Sequence, residues 1–523
     1  MEDKVLKMGA TSATGSFHLF IGVALSTLIM AIGTIILGRL MTPEEYGLYS
    51  VALIPSYMII LFRDWGVDAA ITKYTASHIA ENKPENARVL IKAGMLFEAA
   101  TGITLSLILA LLSSFIATTI FNRPVSSPLM AIVSLTIFSG AILNAANASF
   151  KGFERMELNS LTLICQAIVK TIVSPILVLI GYSALGAVVG YTLSFIAAAI
   201  TGLVALYLLV LKNLKTENLE KTNWLDALKE MLRYGVPLSI SGIIGGFLVQ
   251  FYAFLMAIYC TDTLIGNFTV ASQFAVILTF FTTPIVTVLF PAFSKINPQK
   301  ERILLQTVFT SSVKYTAILL VPATMAMMVL SKPMISTLFG EKWVHAPLFL
   351  TLYVISNLFA AFGNISLSSL LSGTGETKTL MKLSLLTLIL GMPMALILIP
   401  STGIIGLIIT NITAGIPSMI VGLYYAWKRY EAKPDIKTSI KIFTASTIAA
   451  AATLLNLTIF PASSWVELLA GLTTFLLAYL ISAPLIGAVN SSDIKNLKTM
   501  FSNLGIISKL LAISLWPMEK LTK

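Results

Sequence analysis

The chain has 523 residues, of which 56% are apolar and only 11% charged, with a formal net charge of +11. An ordinary soluble domain carries about 25% charged residues, and single cores stop growing at about 250–300 residues, so this composition excludes a water-soluble globular protein and makes lipid the solvent. The positive residues lie in short segments between apolar runs, which argues for membrane topology and against a nucleic-acid-binding face.

A helix needs about 20 mostly apolar residues to cross the hydrocarbon core. Such runs occur at 17–38, 46–68, 93–118, 127–149, 158–181, 184–211 and 234–259, and again at 265–291, 306–330, 346–371, 380–400, 403–427, 441–460 and 465–488. They are twice the length of barrel strands and lack strict alternation, so an all-α integral membrane protein of about fourteen transmembrane helices is expected. The short leader MEDKVLK carries no small-residue cleavage pattern, and the first run reads as a span. With the N-terminus inside, twenty-eight Lys and Arg fall in inside segments. Four (Arg39, Arg123, Lys332 and Lys342) fall outside, and three lie within spans. One span more or fewer would exchange the two sides and destroy this bias, so both termini are expected in the cytoplasm. The predicted organisation is an N-lobe at 1–211, a cytoplasmic linker at 212–233, a C-lobe at 234–430, two further spans at 431–490 and an amphipathic cytoplasmic tail at 491–523.

The two lobes share a pattern. Met41–Ala52 (MTPEEYGLYSVA) matches Cys260–Ala271 (CTDTLIGNFTVA) at an offset of 219, with Thr42, Gly47, Val51 and Ala52 repeated. SALG ending at Gly186 aligns with GIIG ending at Gly406, and the turns KGFER and GTGET correspond at an offset of 222. Six spans separate the copies, so they share an orientation: a parallel repeat with a pseudo-two-fold axis along the membrane normal.

Six plus six helices, plus two, resemble the multidrug/oligosaccharidyl-lipid/polysaccharide (MOP) exporter superfamily. The resemblance rests on Leu37–Ser50 (LGRLMTPEEYGLYS), Ser331–Trp343 (SKPMISTLFGEKW), Leu370–Lys378 (LLSGTGETK) and Ser401–Thr410 (STGIIGLIIT). Within the superfamily the first segment is similar to the polysaccharide transporter branch, the Wzx-type oligosaccharide flippases. The resemblance implies two lobes around a central cavity that opens alternately to each side. It also implies a cell-membrane location, the monomeric state, and a lipid-linked saccharide as partner, with glycosyltransferases or a polymerase of the same pathway as further partners.

Ionisable residues at mid-membrane cost about 2.5–3.5 kcal/mol each on insertion scales, so they should face water or partners. Arg63 and Asp64 fall in span two with Asp68 near its inner end, Lys170 in span five, Lys314 in span nine, and Glu98 near the inner end of span three. Arg63, Lys170 and Lys314 either hold the phosphate of a lipid-linked sugar or form internal ion pairs, for example Lys170 with Asp64. Asp64, Asp68 and Glu98 are candidates for ion coupling, or simply balance Arg63 and Lys73. Asn144, Asn147, Gln250 and Tyr252 could bind sugar hydroxyls or bond neighbouring helices.

Other signals are weak. Gly373–Thr379 (GTGETKT) lacks the Gly before Lys that a Walker loop needs. His18, His78 and His345 are scattered, and Cys165 and Cys260 form no ligand cluster, so neither catalysis nor a metal centre is expected. The expected function is flipping of a polyprenyl-phosphate- or pyrophosphate-linked oligosaccharide, without a cofactor other than a proton or sodium gradient. Membrane lipids are the other partner, and no nucleic acid is expected. The alternative is cation-coupled export of organic cations, which would want a net negative cavity where the deep charges read as neutral to positive.

Overall fold

The computed structural model describes residues 2–214, 223–500 and 518–520, and among them there is no strand. The chain divides into two compact units, Met1–Gly266 and Asn267–Lys523.

The first unit holds α1 (Glu2–Leu40), α2 (Pro43–Ile60), α3 (Val67–Ala80), α4 (Pro84–Phe115), α5 (Ser126–Gly152), α6 (Met156–Leu177), α7 (Ser183–Ala205), α8 (Trp224–Tyr259) and the start of α9 (Asp262–Ser294). Its central element is α5, whose small residues Ser134, Gly140, Ala141, Ala145, Ala146 and Ala148 let α2, α3, α4 and α7 approach closely. By contrast, only 17% of the apolar stretch of α1 is buried, and Phe20, Leu25, Leu28 and Ile32 point outward, a surface only lipid can cover. Its inner face lies along α6, where Gly22 and Gly33 meet Ser160 and Thr171. The TPEE sequence begins α2 with a capping box: Glu45 N–H donates to the Thr42 hydroxyl (3.2 Å) and Thr42 N–H to the Glu45 carboxylate (2.7 Å), with Pro43 in the first turn.

The second unit holds the rest of α9, then α10 (Arg302–Val329), α11 (Ser331–Phe339), α12 (Ala346–Tyr353), α13 (Asn364–Gly373), α14 (Thr377–Thr402), α15 (Ile404–Thr413), α16 (Gly415–Tyr430), α17 (Ile436–Ile459), α18 (Ser464–Leu485) and α19 (Ser491–Met500). Here α17 pairs with α18 and also packs on α10, around Ala317, Ile318, Val321, Ala445, Phe475 and Tyr479.

Among the described residues, ten helices are long and apolar enough to cross a membrane, or eleven if one bent pair is a single span, against the fourteen expected. Three local breaks account for much of the difference. The expected span 46–68 stops at Ile60, because Trp65 (φ 51°) and Gly66 (φ 76°) adopt left-handed backbone. The expected span 346–371 is bent by 55° at Gly363, whose φ of 95° no L side chain adopts easily. The helical run Met156–Val210 counts once by continuity, yet it reverses at Gly181 and Ser183 so that α6 and α7 pack together, as the expected spans 158–181 and 184–211 require.

The division after Gly266 places α8 with the first unit, where Ala227 and Met231 join a core with Ile71, Leu90, Ile91 and Phe150. Of the expected cytoplasmic segments, 215–222 in the linker and 501–517 and 521–523 in the tail lie outside the described residues. The tail begins as the helix α19.

Candidate functional site

The break between α2 and α3 positions the first group of charges. Left-handed backbone at Trp65 and Gly66 turns the chain, and the hydrogen that stands for a side chain at Gly66 faces the backbone of Gly235 in α8. A Cβ there would lie 2.2 Å from the Gly235 carbonyl oxygen. The turn leaves Arg63 only 2% exposed. Its guanidinium meets two carboxylates, Nε 3.2 Å from Glu98 in α4 and Nη2 3.4 Å from Asp68 in the first turn of α3. Asp64 accepts the Asp68 N–H at 2.9 Å. Carboxylate oxygens of Asp64, Asp68 and Glu98 all lie within 4.8 Å of one another. Glu98 is fully buried, and among the described residues neither of its oxygens receives a directed hydrogen bond.

Three carboxylates against one guanidinium give this cluster a formal charge of −2. The neutral-to-positive balance expected from the sequence counted Lys170 and Lys314 as well, and both lie outside this cluster. It is an arrangement that can take up a proton or a small cation in addition to Arg63. Lys73 is no part of it; its ammonium stands over the Tyr234 ring at 3.9 Å.

Lys170 on α6 is placed differently. Its ammonium lies 5.2 Å from the centre of the Tyr191 ring, and among the described residues no carboxylate pairs with it, so the Asp64 partner considered from the sequence is absent. The Tyr191 hydroxyl shares a 3.0 Å hydrogen bond with that of Tyr57, which is 40% exposed. One turn along α7, Phe195 packs against Tyr191 (5.1 Å between ring centres). A Cβ at Gly140 would touch both Phe195 and the Arg63 guanidinium, at 3.6 and 3.7 Å. Lys170, Tyr191 and Phe195 are therefore in successive contact within the first unit, and Phe195 and Arg63 both border Gly140: a cation, an aromatic face and a hydroxyl pair on one side of that glycine, the charge cluster on the other. Cation and aromatic face are the groups that hold a phosphate and the apolar face of a sugar ring.

The aromatic members were not singled out from sequence. Their only signal is the spacing of Tyr191 and Phe195, four residues apart on one helix face.

The polar candidates divide. Asn147 is buried and accepts the Thr162 hydroxyl at 2.8 Å, the helix-bonding alternative. Asn144, one turn earlier, is an exposed position on an otherwise buried stretch of α5. Gln250 is half-buried on α8, and on the same helix the Tyr252 hydroxyl is buried without a hydrogen-bond partner among the described residues.

Lys314 lies in the second unit and is engaged there. Its ammonium is 2.6 Å from Asp493 of α19, whose carboxylate also takes the Asn490 N–H at 2.9 Å. The adjacent Tyr315 hydroxyl receives the Asn496 amide at 2.7 Å. The structure therefore gives Lys314 the ion-pair alternative, with a partner from the tail.

Comparison with known proteins adds the family. A model of the polysaccharide biosynthesis protein family matches residues 36–347. The probable lipid II flippase MurJ of Rickettsia prowazekii (strain Madrid E) is 26% identical over 344 residues, 63% of each chain, so the match spans somewhat less than two thirds of that relative. The lipopolysaccharide biosynthesis protein WzxC of Escherichia coli (strain K12) is 31% identical over 134 residues, 25% of this chain and 27% of its own. Among solved structures, a lipid II flippase MurJ in an inward closed conformation superposes with a TM-score of 0.73 at 14% identity, covering 89% of this chain and 98% of its own. An inward-facing multidrug resistance MATE family transporter reaches 0.63 at 16% identity, covering 79% and 98%. At these identities the structures speak to the fold, which is that of MurJ and MATE proteins. The chain is a multi-pass membrane protein of the polysaccharide biosynthesis protein family.

Proposed function

We propose that this protein flips a polyprenyl-phosphate- or pyrophosphate-linked oligosaccharide from the inner to the outer leaflet by alternating access, as a step in the synthesis of a surface glycan. The observation that carries the reading is Lys170: a cation without a carboxylate among the described residues, beside the Tyr191–Tyr57 hydroxyl pair. A lysine kept unpaired in a membrane protein is costly unless a ligand anion completes it. The flippase and lipopolysaccharide relatives support the same substrate class. On this reading Lys170 holds the phosphate, and Tyr57, Tyr191 and the exposed Asn144 face the saccharide. The charge bias supports cytoplasmic termini, and the protein works as a monomer that receives its substrate from membrane glycosyltransferases and passes it to a polymerase or transferase outside.

The clustered carboxylates favour a second element, coupling to a cation or proton gradient through Asp64, Asp68 and Glu98, and they are also the feature that would suit the alternative, an exporter of organic cations.

The test is leaflet exchange of a fluorescent polyprenyl-linked saccharide in proteoliposomes. Wild type should exchange the probe, and Lys170→Met should slow it about tenfold or more while folding normally. Exchange unchanged in Lys170→Met would remove the phosphate role. No exchange in wild type, with proton- or sodium-driven efflux of a cationic dye, would establish the exporter instead.

A further inference from the structure

The second unit contains a cavity of about 850 Å³ lined by Lys295, Asn297, Arg302, Thr374, Glu376 and Arg429 together with neighbouring backbone. Its walls are three chain segments: the end of α9 with the loop to α10, the turn between α13 and α14, and the last turn of α16. All three belong to segments that the charge bias assigns to the cytoplasmic face. The floor is rigid, because Phe293, Ile296 and Tyr430 beside it are buried in a core with Leu305, Phe309 and Leu370. The loop wall is also fixed. The Asn297 carboxamide accepts the N–H groups of Gln299 and Lys300 (3.0 and 3.3 Å), and the Asn297 backbone N–H donates to the Glu301 carboxylate (2.9 Å).

The charges are arranged unequally. Glu376 is occupied by the Tyr430 hydroxyl at 3.0 Å. Arg302 is held by Glu431 at 3.3 Å and donates to the Arg429 carbonyl at 3.4 Å. Lys295 and Arg429 have no carboxylate within 4 Å among the described residues. Even with Glu431 counted, the concavity keeps a positive charge. Its depth in the membrane is marked by Tyr424 and Trp427, both over half exposed on the same helix as Arg429, with ring centres 6.0 Å apart. Paired interfacial aromatics of this kind sit at headgroup level. A basic pocket between helix ends at that depth has the chemistry to bind a lipid phosphate.

We propose that this pocket binds the phosphate of an anionic phospholipid headgroup in the inner leaflet, with Lys295 and Arg429 as the cations that no carboxylate neutralises among the described residues and Arg302 as a preset third. The inference is independent of the transported substrate, and needs only the membrane setting.

The full chain would be placed in nanodiscs of phosphatidylcholine with or without phosphatidylglycerol, and both the thermal unfolding midpoint and retained phosphatidylglycerol measured. Phosphatidylglycerol should raise the midpoint of wild type. The pair Lys295→Gln, Arg429→Gln should weaken lipid retention about a hundredfold, since each hydrogen bond to a charged group contributes about a tenfold factor or more. A control pair, Lys151→Gln with Arg155→Gln in the first unit, removes the same charge elsewhere and should leave retention intact. Equal loss in both pairs would reduce the effect to general surface charge and overturn the site, as would no response of wild type. Glycerol phosphate or pyrophosphate added to phosphatidylcholine discs separates the sources. If either raises the wild-type midpoint as much as the lipid does, the pocket takes soluble phosphate esters and the lipid assignment falls.

Discussion

Gly47 and Gly266 sit against one another's helix starts in a reciprocal way. A Cβ on Gly47 would lie 1.8 Å from the Asp262 carbonyl oxygen, and one on Gly266 would lie 2.0 Å from the Pro43 carbonyl oxygen. At the offset of 219, Pro43 corresponds to Asp262 and Gly47 to Gly266, so each glycine faces the partner of the other's contact. Reciprocity of this form is what a two-fold relation produces at a contact. The loop after α8 is tied to the same corner by Arg123, whose guanidinium reaches Asp262 and the carbonyls of Ala257 and Cys260.

Both obstructing atoms are backbone, so neither can rotate away. Gly47→Ala and Gly266→Ala are each expected to destabilise by at least the 1–3 kcal/mol typical of overpacking, about that range or beyond. Gly242→Ala, where a Cβ meets nothing within 4 Å, should be neutral or slightly stabilising in its helix. Thermal unfolding of the three variants in detergent checks the contrast. Similar midpoints for all three would mean the helix starts can separate freely.

Removing Arg63 leaves the buried Glu98 and the half-buried Asp64 and Asp68 without their cation, and breaking a buried pair in this way costs about 3–5 kcal/mol. Arg63→Ala should therefore express poorly or unfold early. Glu98→Gln instead lowers the cluster's formal charge from −2 to −1 while keeping its volume, and should fold at least as stably as wild type. Should it fold but lose a dependence of transport on pH or sodium that wild type shows, the carboxylates act in coupling. An unaltered dependence would confine the cluster to structure.

The pairing of Lys314 with Asp493 predicts a tail phenotype for a residue first considered for substrate binding. Lys314→Ala and Asp493→Asn should each loosen α19, seen as faster amide exchange over Ser491–Met500, and the double variant should be less than additive because the two share one interaction. Exchange of α19 unchanged in both single variants would show that the pair does not hold the tail.

At the start of α17, Asp435 caps the helix, accepting the Thr438 hydroxyl and the N–H groups of Lys437 and Thr438. These hydrogen bonds, led by that of Thr438, hold its carboxyl below the usual value. The folded state thus binds this proton less readily than the unfolded chain. The contribution to stability is present above the unfolded pKa of about 3.9 and is lost as pH falls through the lower folded value. Asp435→Ala should cost about 0.5–2 kcal/mol near neutral pH and shrink toward nothing in strong acid. A penalty independent of pH would show that the carboxylate's charge plays no part.

Much of this was legible along the chain, and the reasons are local. Composition and run length dictate a multi-pass helical membrane protein, because only helices and closed barrels satisfy the backbone in lipid and the runs are too long and unalternating for barrel strands. The TPEE segment carries its own capping box at Thr42 and Glu45, whereas the breaks at Gly66 and Gly363 fell inside spans expected to be continuous, since a glycine in an apolar run does not by itself say that its φ will be positive. The choice of partners was a different matter. Nothing in the spacing of Lys314 tells it from Lys170, yet one lies against Asp493, 179 positions later, and the other against an aromatic ring. The charge of the cluster at Arg63 also depends on how α3 and α4 fold back to bring Asp68 and Glu98 together. Sequence alone determined the solvent, the helices and the charged residues that must be sheltered. Tertiary structure decided which charges shelter one another, because at a few ångströms in a low-dielectric interior pairing is set by packing across distant helices and not by order along the chain.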